Sequence, residues 1–163
     1  MSLSNAFTAY VDAPSDATLR PLHRAIVGSP NFSRATTWLF RAAELAAADR
    51  HDEVIRLVEG LMPGALFCPD AHALLSTAYA GIGDRGRARR EAFYAGLAVE
   101  AILASGDGSK ARPWVVLHVP DEYAALARFG LAATQQRAVD VDGLVHDELT
   151  LSDGSTRWCR FAA

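Results

Sequence analysis

The residues best suited to chemistry lie just before and within one short segment, Asp121-Glu122-Tyr123, with Ser105-Gly-Asp107-Gly108 upstream of it. Two carboxylates beside a phenol could form an acid–base pair, and glycine lets backbone approach a ligand closely. Adjacent helical residues point about 100° apart, however, so Asp121 and Glu122 do not face one another on a helix. Helix capping is the simpler role for this acidic pair. If the two pieces do converge, Asp107, Asp121, Glu122 and Tyr123 form a ligand site at a junction of two halves of the chain.

Other candidates are weaker. Gly81-x-Gly83-x-x-Gly86 has the letters of a dinucleotide fingerprint, but that fingerprint needs a strand before it so that pyrophosphate meets a helix start. A helix precedes it here. His51-Asp52 and His146-Asp147 are each half of a metal pair, and His23, His72 and His118 are dispersed, so no ligand set is complete. Cys68 and Cys159 lie far apart with no CxxC or Cys/His cluster, and both read as buried thiols. Cys68, between Phe67 and Pro69, has no base or positive charge beside it to make it a nucleophile. Asp140-x-Asp142-Gly143 lacks the remaining spacing of a calcium loop and reads as a turn. Arg85, Arg87, Arg89 and Arg90 spread around a helix start, which makes them a solvated face. No Gly-x-Ser-x-Gly is present. No catalytic residue set, cofactor or metal is therefore expected, and the chain leans away from being an enzyme.

The bulk composition sets the frame. The chain has 163 residues, is 50% hydrophobic and 21% charged, and carries a net charge of −3. This is the composition of a globular protein. The negative balance argues against nucleic acid as a partner, which would demand excess Lys and Arg. Residues 1–10 lack the basic and apolar regions of a signal peptide, and no apolar run is long enough to span a bilayer. A cytoplasmic protein without a membrane partner is the expectation; a trimmed leader would leave the same sequence.

Elements that could position these residues follow from periodicity. Residues 1–15 read as an extended arm. Leu19, Leu22, Ile26 and Val27 define a helix over Asp16–Val27, ended by Gly28-Ser29-Pro30. Further helices are predicted over Ser33–Ala48, from an Asp52 cap to Leu61, over Ala71–Ala80, and from an Asp84 cap to Ser105. Trp114–Val119 is rich in β-branched residues and reads as a strand, followed by a helix from Pro120 to Phe129. Gln136–Val141, Leu144–Leu151 and Thr156–Phe161 alternate and are joined by Asp142-Gly143 and Asp153-Gly154, the signature of tight hairpins with positive φ at both turn residues. The predicted fold is α+β: helical hairpins over residues 1–109 packed on a small antiparallel meander with one short helix over residues 110–163, together one compact unit.

Leu75, Ser76, Tyr79, Gly83, Asp84, Ala88 and Ala95 have the spacing of the tetratricopeptide consensus. A shift of about 34 residues aligns Trp38 with His72, Ala42 with Ser76, Leu45 with Tyr79, Asp49 with Gly83 and Val54 with Ala88. Arg41 stands where Leu75 has its apolar counterpart, and the first turn lacks glycine. The region from Thr36 to Ala104 thus resembles a pair of tetratricopeptide hairpins. Through Glu91-x-Phe93, Ile102-Leu-Ala-Ser-Gly-Asp-Gly108 and Asp121-Glu-Tyr123-x-x-Leu126, residues 20–161 also resemble an uncharacterised bacterial domain-of-unknown-function family. That resemblance implies a helical half joined to a small β-containing half, and no activity.

Repeat hairpins build a concave surface. In this register Thr36, Leu39, Ala43 and Ala46 face it from one hairpin, and Asp70, Ala73, Thr77 and Ala80 from the next. The functional expectation is a non-enzymatic interaction or structural module with an unknown protein partner, whose apolar groove takes a helix. The helix carrying Leu19, Leu22 and Ile26 is a candidate to fill the groove from within. The alternative is a ligand-binding protein or enzyme at the junction. An exposed strand edge of the meander would allow a homodimer.

Overall fold

The computed structural model describes all 163 residues. Seven helices are followed or interrupted by four strands: α1 (Leu3–Asp12), α2 (Asp16–Val27), α3 (Trp38–Ala47), α4 (His51–Glu59), α5 (Pro69–Gly81), α6 (Arg85–Ala104), β1 (Trp114–Val116), α7 (Val119–Ala127), β2 (Ala133–Val141), β3 (Leu144–Leu151) and β4 (Thr156–Phe161). The predicted α+β class is what the chain adopts. No helix is long and apolar enough to cross a membrane.

The N-terminal segment corrects the expected arm. Ser2 accepts from the Asn5 amide and starts α1, which buries Ala6 and Tyr10 on one face. Ser15 and Thr18 then cap α2 reciprocally. These two helices do not fill the repeat groove. Leu19, Leu22 and Ile26 pack with Ala6 and Tyr10 against Phe67, Ala98, Ala101, Leu117 and Ala162. They cover α6 and the joint to the β half, because those apolar side chains would otherwise face water.

α3 begins five residues later than predicted. Residues 33–37 are drawn toward the β half instead: the Val119 amide donates to Arg34 O at 3.2 Å, and Arg34 donates to Ala162 O at 3.2 Å. The two hairpin turns share one backbone device. Asp49 (φ 55) and Gly83 (φ 85) both take the left-handed conformation. The next amide then reaches back five residues, Arg50 to Leu45 O at 2.9 Å and Asp84 to Tyr79 O at 2.9 Å. Asp tolerates that conformation better than most residues, so the first turn closes without glycine. Ala42, Leu45 and Val54 share a core with Tyr79 and Ala88. α4 starts at His51 rather than at Asp52, so Asp52 lies in the first turn rather than at the cap.

Helices α5 and α6 are joined by a buried polar link. His72 approaches Glu91 Oε2 at 2.7 Å and Leu66 O at 2.7 Å, while Arg90 donates to Glu91 Oε1 at 2.9 Å. Burial alone would raise the Glu91 carboxyl, but hydrogen bonds from His72 and Arg90 outweigh it and hold the group below its ordinary value. A depressed native value contributes stability above the unfolded carboxylate range, and that contribution is lost as pH falls through the native value. Glu91→Gln should therefore cost about 1–2 kcal/mol at pH 7. In denaturant melts the difference from wild type should shrink steadily toward pH 3; a constant difference would contradict the assignment.

The sheet has the order β1-β4-β3-β2. β2, β3 and β4 form the predicted meander, and β1 lies parallel to β4 with Trp114 opposite Cys159. β1 is shorter than predicted because the Leu117 and His118 amides turn away to the Asp121 carboxylate. Asp142 and Gly143 both have positive φ, as the tight hairpin requires. The second hairpin differs: Gly154 alone has positive φ, Leu151 donates to Ser155 O at 2.9 Å, and the Asp153 carboxylate accepts from Ser155, which makes a three-residue loop. β2 is a free edge. Ile102, Trp114, Val116, Leu126, Leu149, Leu151 and Cys159 fill the space between sheet, α6 and α7.

Candidate functional site

Two features emerge from this scaffold: a buried polar seam around the start of α7, and an open groove on the helical half.

The seam starts from the way α7 is capped. Asp121 Oδ2 accepts from the Leu117 amide at 3.1 Å and the His118 amide at 2.8 Å. Capping was the expected role, and it draws the carboxylate inward until only 2% of Asp121 is exposed. His118 is equally buried; its Nδ1 lies 3.3 Å from Asp121 Oδ2, and its Nε2 lies 3.1 Å from Gly64 O. Gly64 can sit there because it has no Cβ: one added would come within 2.4 Å of Asn31 O. Cys68, just before α5, completes the group; donor atoms of Cys68, His118 and Asp121 all lie within 4.8 Å of one another. Burial pushes the Cys68 thiol well above its ordinary value, and the neighbouring Asp121 charge adds to that. Asp121 Oδ1 is buried without a hydrogen-bond partner. Sequence reading misses this trio, since its members are 50 and 53 residues apart and converge only where α5 packs beside α7.

Glu122 points to a different surface, as its position on the helix requires. It is fully buried over the sheet. Gln136 Nε2 from β2 donates to Glu122 Oε2 at 3.2 Å and to Asp147 Oδ2 of β3 at 3.2 Å, while the Tyr123 hydroxyl donates to Gln136 Oε1. Asp147 faces inward with Leu149 and Leu151 and pairs across strands with Cys159. Burial, then the charges of Asp147 and Asp121, push Glu122 up to about 9. Glu122 therefore holds a proton near neutrality. Burial and the same three carboxylates also raise the Cys159 thiol. A protonated acid beside a carboxylate is the arrangement of an acid–base pair. The cavities of about 600, 330 and 320 Å³, however, are lined by other residues than Glu122, Asp147, Gln136 and Tyr123.

Asp107 does not join this group. Its exposed carboxylate accepts from the Ser109 amide at 2.9 Å, near Arg112, in a turn beside β1 and β4. Tyr123 lies over β2, at the opposite edge of the sheet. The expected convergence fails because the parallel β1–β4 pairing places the two pieces on opposite sides. His146 and Asp147 occupy opposite faces of β3, His51 approaches only Asp49 at 3.9 Å, and Asp140 accepts from Gly143 within its hairpin turn. Arg87 and Arg90 pair with Asp84 and Glu91 respectively.

The groove runs between α3 and α5. Leu39, Ala43, Ala46, Asp70, Ala73 and Thr77 line it, as the repeat register requires, with Phe40 and Leu74 added; its volume is about 600 Å³. Thr36 is instead buried, because it precedes the delayed start of α3 and its carbonyl accepts the Leu39 amide. Ala80 is exposed beyond the groove's end. A second concavity of about 330 Å³ shares Asp70 and Ala73 and continues along Ala95, Val99 and Ala124 to Arg128. Phe40 stands 79% exposed at the rim. Half-buried Asp70 forms no ion pair where the two concavities meet; burial, then the Asp121 charge, raises its carboxyl.

No family profile, curated protein or solved structure matches the chain. Function has to be read from these residues.

Proposed function

We propose that this protein is a non-enzymatic docking module whose α3–α5 groove receives an amphipathic helix from a partner protein. The observation that supports it is the groove itself: an apolar trough lined by alanines, continued along α6 and α7, and left open because α1 and α2 pack elsewhere. Small side chains let a helix backbone approach closely, which is the helix-in-groove mode of recognition. Phe40 supplies an aromatic rim, and aromatic residues are enriched among those that dominate binding energy. Unpaired Asp70 at the centre calls for one Arg or Lys on the incoming helix, flanked by apolar residues at i, i+3, i+4 and i+7. Such a cation would relieve the cost of desolvating Asp70.

The test is selection of peptides from a random display library on the immobilised full chain. Helical peptides with an apolar stripe and one central basic residue should be enriched. Their affinity should fall at least tenfold in Ala73→Arg, which fills the trough, and selectively for basic peptides in Asp70→Asn. Enrichment of extended or acidic C-terminal peptides, or binding indifferent to Ala73→Arg, would sink the proposal.

A further inference from the structure

We propose that Cys68, His118 and Asp121 form a binding site for one zinc ion that ties α5 to α7. The site is separate from the docking groove, and the inference does not depend on it.

The geometry is that of a ligand set. A tetrahedral zinc holds N and O donors at about 2.0–2.2 Å, so two of its ligand atoms stand roughly 3.3–3.6 Å apart. His118 Nδ1 and Asp121 Oδ2 are 3.3 Å apart. The Cys68 Sγ lies within 4.8 Å of both donor groups. His118 Nε2 faces the Gly64 carbonyl at 3.1 Å, and a carbonyl can only accept, so Nε2 carries a hydrogen. That tautomer turns the Nδ1 lone pair toward the trio. An imidazole oriented by donation to a backbone carbonyl is the usual support of a metal-bound histidine.

One atom of the trio remains unpartnered without a cation. A proton on Nδ1 would reconcile His118 with Asp121 Oδ2, yet Oδ1 of the same carboxylate stays buried without any partner. A divalent cation would supply that partner. The donor chemistry selects among cations: one sulfur, one imidazole nitrogen and one carboxylate suit zinc, whereas calcium and magnesium require oxygen sets. Three protein ligands leave a fourth position for water. All three residues are at most 2% exposed and belong to separate segments, so the ion acts as a clamp between the helical and β halves rather than as an open reaction centre.

The experiment uses the full chain, stripped with chelator and dialysed against zinc. One zinc per chain should bind and raise the melting temperature by several degrees. Loading with cobalt should produce a thiolate-to-cobalt absorption band in the near ultraviolet. Cys68→Ser should abolish the band and weaken zinc binding more than tenfold, and Cys159→Ser should leave both intact. Asp121→Asn should weaken zinc while keeping the band at saturating cobalt. Should Cys68→Ser not fold, the wild-type band read against Cys159→Ser still decides the matter. Absence of saturable zinc binding, absence of the thiolate band in wild type, or loss of the band in Cys159→Ser would overturn the proposal.

Discussion

Glu122→Gln is expected to stabilise the protein by on the order of 3 kcal/mol at pH 7 and to flatten its pH–stability profile. The native Glu122 carboxyl is raised from an ordinary 4.5 to about 9, first by burial and then by Asp147 and Asp121. Between those two values the folded chain binds one more proton than the unfolded chain. Stability conferred by the protonated form is thus fully present below the unfolded value. It falls as pH rises through the window and is gone above about 9. Glutamine mimics the protonated acid in shape, can donate to Asp147 and can still accept from Gln136. The groups facing this position are Asp147, Cys159 and Gln136 from the sheet, with Asp121 and Tyr123 on its own helix. Chemical denaturation in chelator between pH 5 and 9 measures the effect. A variant no more stable than wild type at pH 8, or one that keeps the wild-type slope, would show that Glu122 is not a buried protonated acid.

Leu22→Ala is expected to cost about 3 kcal/mol, although sequence alone offers its helix only as a filler of the repeat groove. Leu22 is fully buried, at the centre of a cluster that Ala6, Tyr10, Leu19 and Ile26 form with Phe67, Ala98, Leu117 and Ala162. Removing its side chain loses transfer free energy and leaves a cavity that α2, pinned at its start by the Ser15–Thr18 box, cannot readily collapse. The urea midpoint should fall with an unchanged slope. Phe40→Ala serves as the contrast: with the ring 79% exposed, stability should change by no more than about 0.5 kcal/mol while peptide docking weakens. Equal effects of the two substitutions would mean that α1 and α2 do not cap the core.

Two hairpins alone are too few to form a stable array, because each repeat buries its apolar face only against a neighbour. Here the caps are unlike each other. α1 and α2 cover α6 and the joint on one side, while α7 and the sheet cover it on the other. That division leaves the α3–α5 face free, which is why the groove and not the N-terminal helix occupies the surface marked out by the repeat register.

Much of this was legible in the residues. Periods of three and four marked the helices, alternation marked β2 to β4, and six of the side chains singled out by the 34-residue echo line the α3–α5 concavity. All of these are local or short-period signals, set by backbone geometry and by which face of an element is apolar. Helix α1 was missed because its stripe is short and Pro14 dominates the reading of residues 1–15. The seam could not be read at all. Cys68, His118 and Asp121 meet, and Glu122 reaches Asp147 and Gln136, only after α7 docks between α5 and the sheet. By itself the sequence determined most of the elements and their class, because hydrogen bonding and hydrophobic periodicity are decided within a few neighbouring residues. The tertiary structure decided which face stays open, why Asp107 stands apart from Tyr123, and which buried polar groups share one space. Those outcomes depend on contacts between distant segments, whose free energy no single stretch of chain contains.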